Sequence, residues 1–227
     1  MNKTDQFLDL YKQVEDAAAA RWGGDAGSVA RLERMGQFSA YSQALRSCRE
    51  VRNLLQHNPK IDGSYPAEPG GVLINVLSEV LVKIQNPTLA GDAAILLRSI
   101  FRRGTDDLVL PAMRQMAKRD ISKIPITQSG CVVGVFSPES VFELALTADA
   151  PPLDETTRFA DLRNLLAVDP RFYRFAPFNA RLDEIEAMFD KAYDEHTRIR
   201  VVFLTEDGKQ DKPLLGLITP WELIDKL

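Results

Sequence analysis

Two stretches of the chain, Gly134-Val135-Phe136-Ser137-Pro138-Glu139-Ser140 and Gly216-Leu217-Ile218-Thr219-Pro220-Trp221-Glu222, repeat one short pattern. Each follows a β-branched run and precedes an apolar helical one. A pattern that recurs with its flanking elements constrains the architecture more than any lone motif, because it implies one supersecondary unit used twice. It also points to a ligand, since a hydroxyl residue that opens a helix beside a strand is a common phosphate holder.

The surrounding residues extend the repeat. In copy one, a helix around Leu110, Met113 and Ala117 leads to Ile124-Pro125-Ile126, a Ser129-Gly130 turn, Val132 to Phe136, and a helix from Pro138. In copy two, a helix around Leu182, Ile185, Phe189 and Ala192 leads to Ile199 to Leu204, an Asp207-Gly208 hairpin, Leu214 to Ile218, and a helix from Pro220. Asp-Gly between two β-branched runs is a strong hairpin signal. The polar, proline-containing stretch from Ala148 to Thr157 reads as the linker between copies.

Residues 1 to about 87 read as helices alone. Phe7, Tyr11, Val14 and Ala18 keep helical spacing up to Gly23-Gly24. A longer helix follows, with Leu32, Met35, Tyr41, Leu45, Cys48 and Leu55 as its buried stripe. It should stop near His57, because Pro59 pushes Asn58 out of helical geometry. After a Pro- and Gly-rich loop, Leu73, Leu77, Val80 and Ile84 mark a third helix, with Val76 and Leu81 beside that face. The fold class is therefore α+β: an N-terminal α-helical bundle over 1–88, then two α/β repeats in 89–227, the first about 95–147 and the second about 158–227.

Composition narrows the function classes. The net charge of -4 argues against a generic nucleic-acid coat, although residues 28–57 hold Arg31, Arg34, Arg46, Arg49 and Arg52 against Glu33 and Glu50. That run reads either as a basic binding face or as a solvated helix surface. Cys48 and Cys131 form no disulfide or metal spacing, the N-terminus has no secretory apolar core, and no run is long enough to span a bilayer. A soluble cytoplasmic protein without a metal is expected. Two histidines and two scattered cysteines make no ligand cluster, and no Gly-x-Ser-x-Gly or Walker pattern is present. His196 has no obvious partner in the sequence and falls at the expected end of a helix.

The C-terminal part resembles a tandem CBS-domain pair. The residues that carry the resemblance are Ser122-Lys123-Ile124-Pro125-Ile126 with Gly134-Val135-Phe136-Ser137, and Ile199-Arg200-Val201-Val202-Phe203 with Gly216-Leu217-Ile218-Thr219. The resemblance implies two repeats about a pseudo-two-fold axis and an adenine nucleotide (AMP, ADP or ATP) as regulatory ligand in the clefts between them. It gives the hydroxyls of Thr219 and Ser137 to phosphate or ribose. Glu222 then stands where the family has an acid for the ribose diol, while copy one has Ser140, which cannot offer two carboxylate oxygens. A single working site would be the one with Thr219 and Glu222. The same residues also read as plain helix starts: threonine at the N-cap, proline at the first helical position, glutamate closing a capping box.

Arg52-Asn53-Leu54-Leu55-Gln56-His57 resembles the Arg-x4-6-His motif of HEPN domains, in which a polar residue commonly follows the arginine. Many members are dimeric, metal-independent ribonucleases; others are non-catalytic modules that bind RNA or a partner protein. The resemblance implies Arg52, Asn53 and His57 as a catalytic set in a homodimer, with histidine as a base near neutrality and arginine as a fork for phosphate oxygens. Geometry adds a condition. Five residues place two side chains about 140° apart on a straight helix. Arg52 and His57 can converge only if the helix ends before His57 or if two chains meet. Two functions stay open: a nucleotide-sensing pair that controls a ribonuclease, or a non-catalytic module whose helices dimerise or hold a partner protein.

Overall fold

The computed structural model describes residues 2–24, 28–58, 60, 63–147, 151–166, 168–194 and 198–224. Pro59, Asp62, His196 and the start of the Ala148–Thr157 stretch lie outside them. The chain divides into two compact units, Met1–Thr88 and Leu89–Lys226.

The first unit is built from helices: α1 (Lys3–Trp22), α2 (Ser28–Leu32), α3 (Ser42–His57) and α4 (Gly71–Gln85). In α1, Phe7, Tyr11, Val14 and Ala18 are all buried, and Gly23 closes the helix with φ 69. One core joins them to Leu32, Phe38, Leu45, Cys48 and Leu55, and to Ile74, Leu77, Val80 and Ile84 of α4. The long helix expected over Leu32 to Leu55 is instead interrupted: α2 ends at Leu32, a 3-10 segment covers Gly36–Tyr41, and α3 starts at Ser42. Gly36 weakens a continuous helix. The break also turns both Leu32 and Phe38 fully inward, with Phe38 meeting Trp22 edge to face at 6.1 Å. Met35 and Tyr41 of the expected stripe are left half-buried.

The second unit is mixed α+β. Its first repeat runs β2 (Arg103–Gly104), α6 (Val109–Arg119), β3 (Ile124–Gln128), β4 (Cys131–Phe136) and α7 (Pro138–Leu146). The second runs β5 (Tyr173–Pro177), α8 (Leu182–Asp194), β6 (Val201–Thr205), β7 (Gly216–Ile218) and α9 (Pro220–Ile224). Both have the same pairing: the first strand parallel to the second, the second antiparallel to the third. The order is preceded by α5 (Ala90–Ala93) and β1 (Ile95–Leu96), and β1 pairs antiparallel with β7.

The segments ahead of each repeat are exchanged. Leu89 bridges Arg181, and Ala90 N–H donates to the Ala180 carbonyl, so the lead-in to repeat one covers the start of α8. Arg158 bridges Leu108, and Val109 N–H donates to the Thr157 carbonyl, so the lead-in to repeat two covers the start of α6. This exchange explains the glycine of the repeated pattern. A Cβ on Gly134 would lie 2.4 Å from the Leu166 carbonyl oxygen, and one on Gly216 would lie 3.2 Å from the Ile95 carbonyl oxygen. In each copy the crossing backbone occupies the place of a side chain.

One expectation for this unit needs correction. The helix around Leu110, Met113 and Ala117 is α6, which buries Val109, Ala112 and Met116. Ser129 (φ 51) and Gly130 (φ 84) do form a two-residue turn, joining Gln128 to Cys131. Asp207-Gly208 does not, because β6 ends at Thr205 and β7 begins only at Gly216. Gly208 instead sits against Pro177, whose ring a Cβ there would meet at 2.8 Å. Among the described residues no helix is long and apolar enough to cross a membrane.

Candidate functional site

In the helical unit, α3 continues through His57 before Asn58 takes an extended conformation (φ -106, ψ 132). The helix therefore does not end before His57, and the first route to convergence with Arg52 is closed. Arg52 turns toward α1: its Nη2 lies 3.8 Å from Glu15, its Nη1 donates to Asn53 Oδ1 at 3.1 Å, and its guanidinium lies 5.5 Å from the Tyr11 ring centroid. Burial first, and Glu15 second, push the Tyr11 hydroxyl up to about 12, while Arg52 opposes them. His57 is exposed at the helix end. The structure thus joins Arg52 to Asn53 and leaves His57 apart.

The arginine run of 28–57 is largely neutralised. Arg49 meets Glu33 at 2.8 Å, Arg46 meets Glu50 at 3.3 Å, and Arg31 donates to the Trp22 and Gly23 carbonyls. Here the solvated-surface reading fits better than a basic binding face.

The second unit holds a cleft of about 350 Å³ beside Thr219. Thr219, Pro220 and Trp221 form one wall, with Trp221 73% exposed. Lys123 and Arg200 bring two cations, Asp120 brings a carboxylate, and Ile100, Phe101 and Leu217 supply apolar surface. Backbone conformation sets Asp120 in place: it ends α6 in the left-handed region (φ 55, ψ 41), and Ile121 N–H then bonds the Met116 carbonyl at 3.0 Å. A flat exposed indole, two cations and a carboxylate on an apolar floor suit a molecule with an aromatic base, a polar middle and an anionic end.

Glu222 is engaged elsewhere. Its Oε2 accepts from Thr219 N–H at 2.8 Å and from Thr219 Oγ1 at 2.5 Å, the capping geometry that the sequence allowed as an alternative to diol binding. It is not among the residues lining the cleft, whereas Asp120 is.

Copy one treats the same positions differently. Ser137 is buried, its N–H donates to Ser140 Oγ at 3.2 Å, and Ser140 thereby supplies half of a capping box. Glu139, at the position of Trp221, accepts from Arg200 Nη1 at 2.5 Å, and Arg200 lies 4.6 Å over the Phe172 ring. A hydrogen bond from Ser137, with Arg200 adding to it, holds the Glu139 carboxyl down at about 2. Ser137 is thus part of a closed polar cluster, and Arg200 belongs both to that cluster and to the Thr219 cleft.

Sequence reasoning assigned no role to Lys123, Arg200, Asp120 or Trp221. Lys123 and Arg200 stood inside the stretches that carry the CBS resemblance, and Trp221 inside the repeated pattern. Their meeting depends on the pairing of β6 with β7 and on the exchanged lead-in, which no local pattern encodes.

No family model and no curated protein matches the sequence. Solved structures do resemble it. A hemolysin-like protein containing a CBS domain from Oenococcus oeni is 12% identical, over 63% of this chain and 91% of that one, with a TM-score of 0.44. CBSX2 in complex with AMP is 14% identical, over 61% and 94%, with a TM-score of 0.46. A CBS domain pair in complex with 5′-methylthioadenosine and S-adenosyl-L-methionine is 16% identical, over 62% and 95%, with a TM-score of 0.43.

Proposed function

We propose that the chain is a regulatory protein that senses an adenine nucleotide through its two CBS-like repeats, arranged about a pseudo-two-fold axis. The observation that carries this reading is the Thr219 cleft, where Trp221, Asp120, Lys123 and Arg200 converge on one apolar-floored space. The indole stacks on the base, Asp120 accepts from the ribose diol, Thr219 bonds ribose or phosphate, and the two cations take the phosphate. The site is single: Ser137 stays in its cluster with Glu139.

The helical unit acts as the output module, and the non-catalytic reading is preferred because within one chain Arg52 is held by Glu15 and Asn53, which leaves only the meeting of two chains to join it to His57. Phe142 and Leu146, four residues apart on α7 and 67% and 72% exposed, offer an apolar face to a second copy of the chain. Ligand shifts the dimer only through differential affinity for two arrangements.

Thermal unfolding against AMP, ADP and ATP tests the sensor. A ligand at 100 times its dissociation constant adds about 2.7 kcal/mol of stability. The reading expects such a rise in the wild type and none in Thr219→Ala; no rise with any of the three would overturn it. Cleavage of single-stranded RNA by the wild type, abolished in both Arg52→Ala and His57→Ala, would replace the non-catalytic module by the ribonuclease.

A further inference from the structure

Beside the Thr219 cleft, and sharing only Ser99, Ile100 and Phe101 with it, lies a second pocket of about 370 Å³. Four arginines line it, Arg98, Arg102, Arg103 and Arg119, against one carboxylate, Asp107. In a chain of net charge -4 this is a concentrated basic site. Among the described residues, none of the four guanidiniums is ion-paired. Asp107 is already occupied locally, its Oδ2 accepting from Gly104 N–H at 2.8 Å.

The arginines are also positioned. Arg103 and Arg119 both lie over the Phe101 ring, at 4.2 and 4.8 Å from its centroid. Arg103 is further fixed by donating to the Arg102 carbonyl and to Gln115 Oε1, each at 2.7 Å. Arg102 donates to the Leu97 carbonyl at 3.2 Å. Two guanidiniums on one ring repel each other, and the ring attraction offsets only part of that cost. An anion between them removes the remainder. The arginine run of residues 28–57 lacks this arrangement, because Glu33, Glu50 and Glu15 are paired with its members.

We propose that this pocket binds a chain of phosphates. Four arginines lining one pocket match an anion of three or four charges better than a lone phosphate, and their planar forks suit successive phosphoryl groups. The volume, about that of a dozen waters, admits such a chain. The chain can arrive free, as inorganic tripolyphosphate, or as the triphosphate of a nucleotide seated next door across Phe101. The proposal does not depend on the Thr219 cleft holding a base.

Isothermal titration of the full-length protein with tripolyphosphate, ATP and AMP tests it, with Arg98→Glu, Arg103→Ala, Thr219→Ala and the remote control Lys209→Ala. Arg98 is exposed and outside every core cluster, so its variant keeps the test valid if Arg103→Ala unfolds. Tripolyphosphate should bind the wild type and lose at least about tenfold in affinity in Arg98→Glu and Arg103→Ala, but not in Thr219→Ala or Lys209→Ala. Tighter binding of ATP than of AMP, erased by Arg98→Glu, assigns the chain to a nucleotide; equal binding of the two, with tripolyphosphate still arginine-dependent, assigns it to a free polyphosphate. Absence of tripolyphosphate and ATP binding at millimolar concentration overturns the proposal. So does affinity indifferent to Arg98 and Arg103, or arginine-dependent binding of single-stranded RNA alone. AMP binding lost only in Thr219→Ala would leave the nucleotide reading intact while this one fails.

Discussion

The two copies of the repeat start from one pattern and end in opposite states. Copy two presents Thr219 and Trp221 to a cleft, with Glu222 folded back as a cap. Copy one buries Ser137 and fills the corresponding position with Glu139, which Arg200 clamps. The backbone design is shared, including a glycine under crossing main chain in each copy. One side-chain difference, Glu139 for Trp221, separates a clamped polar cluster from an open cleft, whereas Ser140 and Glu222 both cap their helices. A duplicated motif therefore preserves the scaffold more strictly than it preserves the side chains set on it.

The largest expected effect strikes the shared scaffold. Gly134→Ala drives a methyl into the Leu166 carbonyl and Cβ, so crossing backbone must move, and we expect a loss of about 3 kcal/mol by urea unfolding. Gly216→Ala meets Ala94 and Ile95 at 3.2 Å and should cost about 1 kcal/mol. Equal losses would mean that the two crossings are packed alike.

Arg200→Ala comes next, because that side chain serves both copies. It removes a cation from the Thr219 cleft and should weaken AMP binding about tenfold to a hundredfold by calorimetry. Undiminished affinity would assign Arg200 to copy one alone. Glu222→Ala should lower stability by about 1 kcal/mol through loss of the cap, with AMP affinity nearly kept. A collapse of affinity with stability unchanged would return Glu222 to the ribose.

The smallest effect is the Glu139 clamp, a half-exposed pair on the scale of about 0.2–1 kcal/mol. Its carboxyl is depressed from 4.5 to about 2, so its contribution is fully present above pH 4.5 and fades as pH falls through 2. The stability gap between wild type and Glu139→Gln should be constant above pH 5 and close below pH 4.5. A gap that widens in acid would reverse the sign and remove the clamp.

What could be read from the sequence was whatever short-range patterning encodes. The α1 stripe, the Ser129-Gly130 turn, and the order of helix, strand, strand and helix in each copy all follow from residues close in the chain. The first strand of each repeat did not, because Arg103–Gly104 is two residues long and Tyr173–Pro177 carries an arginine and a proline. Nor did the interruption at Gly36, which is set by the inward turn of Leu32 and Phe38. The spacing of Arg52 and His57 is visible in the sequence, whereas Glu15, thirty-seven positions before Arg52, is linked to it by no pattern. The arginine pocket escaped notice for the same reason: Arg98, Arg102 and Arg103 meet Arg119 only after α6 folds back over Phe101.

Calorimetric titration of AMP into the wild type, Ser137→Ala and Thr219→Ala bears most directly on the asymmetry between the copies. The account predicts one site per chain, unchanged by Ser137→Ala and abolished by Thr219→Ala. Two sites, or a loss of binding in Ser137→Ala equal to that in Thr219→Ala, would contradict it.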